Sequence, residues 1–287
     1  MSGDSSPEKR ERRSVRLNRY QQIMEDLFMS GYKPGISAIE FDREDMVPIA
    51  ERLGIRLPKN LGDVIYSFRY RAPLPQSIRD TQPEGKEWII RPGGRGRYQF
   101  ALVDAFDLSP NRALMQIKVP DATPGLVAMY ALTDEQGLLA RLRYNRLIDI
   151  FTRLTCYSLQ NHMRTTVEGI GQVETDEIYV AVDPWGTHFV LPVQAKGGSD
   201  RLGVVQIEQD MALCREKFPD LICRPIAAQF MADSAIALFE FAWTDGRVQL
   251  AREMHYRLVS PDELTPEDLA TYRRLAEPRV AYSTSPE

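Results

Sequence analysis

Residues 174–196 read ETDEIYVAVDPWGTHFVLPVQAK, and this stretch decides the expected fold of the chain. Two apolar runs, Ile178 to Val182 and His188 to Gln194, have the length and the residue types of strands. Between them lies Asp183-Pro184-Trp185-Gly186-Thr187, whose aspartate, proline and glycine are typical of a tight turn. The stretch therefore predicts a β-hairpin.

The register of this hairpin decides which polar side chains meet at its open end. If the strands pair symmetrically about the turn, Asp176 lies opposite Gln194, and Glu174 lies opposite Lys196. Side chains two residues apart on a strand share a face, so we expect all four to project from one side of the hairpin. A slip of one residue would put Glu177 in the place of Asp176.

Two carboxylates, an amide oxygen and an ammonium in one place suit phosphodiester hydrolysis. Oxygen ligands hold a hard divalent cation such as Mg²⁺, which polarises a phosphoryl oxygen and lowers the pKa of a bound water. A lysine can orient or deprotonate that water and offset the negative charge that develops. The other interpretation is a solvated sheet edge, where charged side chains prevent pairing with another chain.

The two strands resemble the motif of the PD-(D/E)XK nuclease superfamily, in which an acidic residue opens one strand and an acid-x-Lys triplet ends the next. Thr175-Asp176 with the apolar run behind it resembles the first half, and Val193-Gln194-Ala195-Lys196-Gly197 resembles the second. The resemblance covers roughly residues 120–260. It implies a restriction-endonuclease-like α/β fold, with a mixed sheet flanked by helices, and a Mg²⁺-dependent endodeoxyribonuclease that also accepts Mn²⁺.

The chain departs from the motif at Gln194, where the superfamily has a second acid. Glutamine offers a carbonyl oxygen to a metal but brings no charge. Either Glu174 or Glu177 then supplies the missing carboxylate, or the site binds metal more weakly. An inactive relative of the nucleases is the alternative that this departure leaves open.

The resemblance implies the roles of the following residues. Catalysis falls to Asp176, Gln194 and Lys196, metal binding to Asp176, Glu174, Gln194 and Ala195, and accessory contacts to Glu177, Gln206 and Glu208. The last two open a helix expected at residues 204–218, where acidic and polar side chains also complement the helix dipole. Around the hairpin, the pattern predicts helices at 126–132 and 145–164 and strands at 221–230, 235–241 and 248–259.

The first part of the chain has the outline of a winged-helix domain. Apolar spacing predicts helices at 15–30, 42–53 and 60–71, then strands at 87–91 and 97–103 joined by Pro92-Gly93-Gly94-Arg95-Gly96. In such a domain the third helix enters the major groove and the basic tip touches the DNA backbone. A solvated glycine-arginine loop is the plainer interpretation of the tip. The expected DNA-binding residues are Asn60, Tyr66, Arg69, Arg71, Arg95 and Arg97.

The sequence of 287 residues thus divides into four expected parts. They are a disordered basic arm (1–15), a winged-helix-like domain (16–120), a nuclease domain (121–260) and an acidic tail (261–287). Three cysteines are too few for a disulfide framework, and no apolar run is long enough to cross a membrane, so a cytoplasmic protein is expected. The net charge of −4 argues against bulk coating of nucleic acid.

Taken together, these features predict a metal-dependent endonuclease of the restriction or defence type that binds double-stranded DNA by sequence. A homodimer fits this function, because cutting both strands at a single site takes two active centres. Two other functions stay open. One is a structure-specific nuclease acting on junctions or in repair, and the other is a winged-helix regulator whose nuclease domain is inactive.

Overall fold

A computed structural model describes residues 18–106, 108–130, 134–197 and 202–276. The chain divides into two compact units, Met1–Ala105 and Phe106–Glu287. We expected the division near residue 120, but strand Gln116–Pro120 pairs with strand Arg247–Val259 and so belongs to the second unit. The basic arm expected at 1–15 lies outside the described residues.

The first unit combines short helices with one antiparallel sheet. Its elements are α1 (Arg19–Gly31), β1 (Ala38–Asp42), α2 (Met46–Leu53), α3 (Gly62–Tyr70), α4 (Gln76–Arg79), β2 (Lys86–Pro92) and β3 (Arg97–Asp104). The strands pair in the order β1-β3-β2. Phe28 of α1, Ile65 of α3 and Phe100 of β3 are fully buried in one shared core. The three expected helices and the hairpin are therefore confirmed, with changed bounds.

Two boundaries in this unit have clear local causes. A 3-10 turn, Arg43–Asp45, precedes α2, because the Asp45 carboxylate accepts the N–H of Asp42 at 2.8 Å and so caps the start of the turn. α2 ends at Gly54, whose φ of 65° is a left-handed conformation that glycine adopts without a steric penalty.

The second unit is built on a large mixed sheet flanked by helices, which confirms the expected α/β class. Its elements are β4 (Gln116–Pro120), α5 (Gly125–Tyr130), α6 (Glu135–Tyr144), α7 (Leu147–Thr152), β5 (Thr155–Val167), β6 (Gly171–Val182), β7 (His188–Lys196), α8 (Val204–Lys217), β8 (Ile222–Cys223), β9 (Ile226–Phe230), β10 (Ile236–Thr244), β11 (Arg247–Val259) and α9 (Pro266–Ala276). The strand order is β4-β11-β10-β9-β7-β6-β5, and β8 also pairs with β7.

The centre of this sheet is an antiparallel meander, β5-β6-β7, followed by α8 and then by β9, which pairs with β7 in parallel. Helices cover both faces. α6 and α7 pack on the face that carries Tyr179 and Val193, whereas α8 packs on the face that carries Ile178 and Val190. β7 is buried along most of its length, which explains its nearly continuous apolar sequence.

The register assumed for the hairpin is confirmed. Val180 pairs with Val190, and the last pair at the open end joins Glu177 to Val193. The N–H of Asp183 also bonds the carbonyl of Thr187 at 3.2 Å. The slip by one residue does not occur.

The helix expected at 145–164 was wrong. α7 ends at Thr152, and β5 begins at Thr155. Arg153 turns the chain with φ 58°, a left-handed conformation that a non-glycine residue rarely adopts, so no glycine marks the stop. In addition, α6 was not predicted, and the run 221–230 forms two short strands rather than one.

The acidic tail is partly folded. α9 packs beside β4, where Lys118 Nζ lies 2.8 Å from Asp268 and the Lys118 N–H donates to the Tyr272 hydroxyl at 2.9 Å. Residues 277–287 of the tail lie outside the described residues. None of the helices in the described ranges combines the length and the apolar composition needed to span a membrane.

Candidate active site

The candidate site lies where β6 and β7 stop pairing. Beyond the Glu177–Val193 pair, side chains replace the backbone ladder. The Asp176 carboxylate accepts the N–H of Ala195 at 2.8 Å. In the other direction, the Gln194 amide nitrogen lies 3.3 Å from the carbonyl oxygen of Glu174. These two side-chain contacts link the strands just beyond the end of their backbone pairing.

A buried carboxylate from α8 completes this network. The Gln194 amide nitrogen donates to both oxygens of Asp210, at 3.2 and 3.0 Å, and lies 3.4 Å from the hydroxyl of Thr175. Asp210 and Thr175 are fully buried, and only 2% of Gln194 is exposed. Sequence analysis did not single out Asp210.

Burial makes the two aspartates weak acids. Burial and the neighbouring Asp176 charge raise the pKa of Asp210, and the hydrogen bonds from Gln194 and Thr175 lower it. The result is a pKa of about 8. Burial also raises the pKa of Asp176, although the Ala195 N–H and the Lys196 charge act in the opposite direction. At neutral pH the metal-free protein therefore keeps a proton on Asp210. Such perturbed carboxylates are a common mark of functional sites.

Lys196 ends β7 beside these carboxylates. It is half-buried, and its charge lowers the pKa of both Asp176 and Asp210. No hydrogen bond or ion pair within the described part of the chain holds its ammonium group. Its ammonium, beside two acids of raised pKa and without a fixed partner among the described residues, is available to a substrate.

Glu174 does not join the buried network through its carboxylate. That carboxylate accepts from Arg164 at 2.7 Å and lies 3.4 Å from the His162 ring on β5. Only the Glu174 backbone carbonyl contacts Gln194. Glu174 and Asp176 are two residues apart on β6, and the Glu174 charge raises the pKa of Asp176. The Glu174 carboxylate is engaged by its neighbours on β5, so it lies beside the buried network without a hydrogen bond to it.

Glu177 lies on the other face of the sheet. Its carboxylate accepts from Arg143 Nε at 3.1 Å and from the Ser158 hydroxyl. It shares that face with Tyr179, which packs against α6 and α7, whereas Asp210 belongs to α8. The structure therefore separates Glu177 from the aspartates.

Gln206 and Glu208, the two accessory candidates on α8, make contacts outside the network of Asp176, Gln194 and Asp210. The Gln206 side chain accepts the N–H of Gly203 at 3.4 Å, which ties the first turn of the helix. Glu208 is half-buried and takes part in a polar contact. The helix supplies its carboxylate to the site one turn later, through Asp210.

The donor set fits a cation held by two side chains. Across the described residues, no three His, Cys, Asp or Glu side chains lie close enough together to hold a metal ion. Mg²⁺, however, usually binds through one or two carboxylates and completes its shell with water and substrate phosphate. Asp176, half-buried, and Asp210, fully buried, offer two carboxylates of raised pKa, and a bound cation would lower both pKa values. Ala195, expected as a metal ligand, contributes an N–H that orients Asp176.

One signal in the sequence could have identified Asp210. Ile207, Met211 and Cys214 form the buried stripe of α8 at helical spacing, and position 210 falls within it. A charged residue inside an apolar stripe carries a large desolvation cost unless it has a partner or a function. The raised pKa of Asp210 is the physical expression of that cost.

The expected DNA-binding residues of the first unit differ in how far their side chains are engaged by other residues. Asn60 is engaged with Asp63 at 2.6 Å. Tyr66 is 42% exposed, and the Arg71 guanidinium lies 5.1 Å above its ring. Arg69 lies over Tyr70 in the same way, at 4.8 Å.

The turn between β2 and β3 presents the remaining two candidates. Arg95 and Arg97 are both exposed there. The carbonyl of Gly96 accepts the N–H of Arg43 at 2.9 Å, which ties the turn to the residues after β1. The turn is therefore basic and exposed, and this hydrogen bond holds it in place.

Comparison of the chain with protein-family models, with curated proteins and with solved structures found no match.

Proposed function

We propose that this protein is a Mg²⁺-dependent DNA endonuclease of the PD-(D/E)XK type, with an N-terminal winged-helix DNA reader. The observation that carries the proposal is the network at the end of β6 and β7. It combines two carboxylates of raised pKa, the half-buried Asp176 and the fully buried Asp210, with Lys196, whose ammonium has no hydrogen-bond or ion-pair partner among the described residues. Desolvated acids beside an ammonium suit the binding of a divalent cation and a phosphate.

The order of elements around the network supports the same proposal. A helix, three antiparallel strands, a second helix and a strand parallel to the third strand are the core that the superfamily resemblance implies. Here these are α6, β5-β6-β7, α8 and β9, with the short α7 and β8 between them. Lys196 ends β7, as the motif requires, and Asp176 is the first residue of β6 beyond its pairing with β7.

Asp176 and Asp210 would hold the cation, and Asp210 would supply the charge that Gln194 lacks. A bound Mg²⁺ supplies Lewis acidity to the scissile phosphate and lowers the pKa of water. Gln194 orients Asp210, and the Ala195 N–H orients Asp176. Lys196 would hold the attacking water and offset the charge that develops on the phosphate oxygens.

The first unit supports recognition of duplex DNA. Its order of helix, strand, helix, helix and hairpin, with the short α4 before the hairpin and the sheet order β1-β3-β2, fits the winged helix that we propose. In that fold α3 enters the major groove and the basic turn reaches the backbone. Tyr66, Arg71, Arg95 and Arg97 would make these contacts, and we propose a sequence-specific enzyme of the restriction or defence type.

A regulator that binds DNA without cutting it is the second candidate. It is favoured by the amide at Gln194 and by the lack, within the described residues, of a third acidic side chain placed to hold a metal together with Asp176 and Asp210. This candidate predicts tight binding of DNA that needs no divalent cation.

The decisive experiment is cleavage of supercoiled plasmid and of mixed genomic DNA. The wild-type protein, Lys196→Ala and Asp210→Asn would be compared in Mg²⁺, in Mn²⁺ and in EDTA. We expect discrete fragments from the wild type in either metal and none in EDTA or from the variants. Intact DNA in both metals, with DNA binding retained, would overturn the nuclease and leave the regulator. A strong preference for branched over linear DNA would instead indicate a structure-specific nuclease.

A further inference from the structure

Glu177 is a buried acid next to the proposed reacting residue, and the proposed chemistry gives it no task. Its side chain is fully buried, and Arg143 on α6 holds it at 3.1 Å. The Arg143 guanidinium also donates to the amide oxygen of Asn161 at 3.1 Å, and the Ser158 hydroxyl donates to the carboxylate. The pair therefore joins α6 to two neighbouring strands.

The strand opposite Asp176 is distorted at one residue. The β5–β6 register shifts between Ser158 and Gln160 and then continues through the pairs Asn161–Glu177 and Met163–Thr175. His162, between those two pairs, adopts φ 49°, a left-handed conformation. On the β5 side, Asp176 therefore lies opposite a residue outside the strand conformation.

On the other side of β6, the pairing with β7 ends at Glu177 and Val193. Glu177 is thus the last residue before Asp176 that both neighbouring strands pair with. Its side chain fixes this position from the α6 face. Asp176, the residue before Glu177, is then the first residue of β6 that has no backbone pairing with β7.

Stability alone does not explain such a pair. One oxygen of Glu177, Oε2, is buried and makes no hydrogen bond of good geometry in the described part of the chain, where the Tyr179 hydroxyl is its polar neighbour. Removing a carboxylate from water is costly, and apolar residues of similar volume often replace a buried ion pair without loss of stability. The pair then serves to position neighbouring groups, because a small displacement of a reacting group lowers the reaction rate strongly.

We infer that Arg143 and Glu177 are positioning residues, which fix the end of β6 so that Asp176 stays at a set distance from Asp210. The inference rests on the proposed nuclease function and adds residues outside the superfamily motif. Groups that orient metal ligands from behind commonly change metal affinity or activity by about 10–100-fold when they are removed.

The test uses the double variant Arg143→Met/Glu177→Leu of the full chain, which removes both charges together. Calorimetric titration with Mg²⁺ in the absence of DNA gives the affinity, and urea unfolding gives the stability. We expect Mg²⁺ affinity to fall by roughly 10–100-fold while the unfolding midpoint stays near that of the wild type. In plasmid cleavage kcat should fall, with KM for DNA unchanged. Glu177→Gln keeps an oxygen to accept from Arg143 and Ser158, so it should retain most of the affinity.

A matched control is Arg224→Met/Glu240→Leu. Because Glu240 also pairs with Arg252, the control carries Arg252→Met as well, and it then removes a whole partly buried ion cluster beside the start of β7. Unchanged Mg²⁺ affinity in the Arg143/Glu177 variant, or an equal loss in the control, would overturn the positioning role. If the wild type binds Mg²⁺ but cuts no DNA, the nuclease proposal fails, and calorimetry still decides the effect of the pair. A wild type that binds no Mg²⁺ overturns both.

Discussion

Asp210 shows how one buried carboxyl group couples pH to stability. Its pKa is about 8 in the folded protein, against 3.8 for a free aspartate. Between these pH values the folded protein keeps a proton that the unfolded chain releases. The free energy of unfolding therefore falls as pH rises from about 4 to about 8, and the stabilisation present in acid is fully lost above the folded pKa.

Asp210→Asn removes this titration while keeping an oxygen that can accept from Gln194. In EDTA we expect the variant and the wild type to unfold at similar temperatures at pH 4. Above pH 8 the variant should be more stable, by on the order of 5 °C. Thermal unfolding followed by circular dichroism at several pH values measures the difference. Parallel curves for the two proteins would show that Asp210 titrates normally.

The hairpin and α7 show which elements a sequence can predict. The register of β6 and β7 followed from the turn at 183–187, because a short turn leaves the strands little freedom to slip. The end of α7 did not follow, because a left-handed Arg153 stops the helix where glycine is the usual signal. β5 is an edge strand, exposed over most of its length, so it has no clear apolar alternation to detect.

The same contrast holds for the site. Asp176, Gln194 and Lys196 lie on strands whose pairing the sequence determines locally, and their neighbourhood could be predicted. Asp210 reaches them through the packing of α8 on the sheet, a contact between distant parts of the chain. Spacing along the sequence does not encode that packing angle. The apolar stripe around Asp210 marked it as unusual but did not indicate its partner.

The left-handed turn after α7 predicts how two substitutions at Arg153 change the stability of the protein. Arg153 is exposed, and no described residue hydrogen-bonds its side chain. At φ 58° glycine avoids the strain that a Cβ introduces, so Arg153→Gly should be more stable than Arg153→Ala by about 1 kcal/mol. Urea unfolding measures the order. At Arg215, exposed within α8, the order should reverse, because alanine favours a regular helix over glycine.

Across the whole molecule, the proposed reader and the proposed nuclease centre fall in different units, so binding and chemistry should be separable by mutation. Arg95→Ala and Arg97→Ala change the basic turn of the first unit, whereas Lys196→Ala changes the end of β7 in the second. A phosphate contact contributes to affinity through the release of counterions. Each arginine variant should therefore weaken DNA binding and reduce the slope of log affinity against log salt by about 1.

Fluorescence anisotropy with a labelled duplex at several salt concentrations measures that slope. Lys196→Ala should bind with a slope near that of the wild type but should not cut. The arginine variants should still cut when DNA is saturating, because their loss falls on KM. Arg79→Ala, an exposed residue of α4 that belongs neither to α3 nor to the turn, is the matched control for a lost surface charge. Equal effects from Arg79 and Arg97 would mean that the first unit attracts DNA by its overall charge rather than through the turn, and the winged-helix assignment would lose its main functional support.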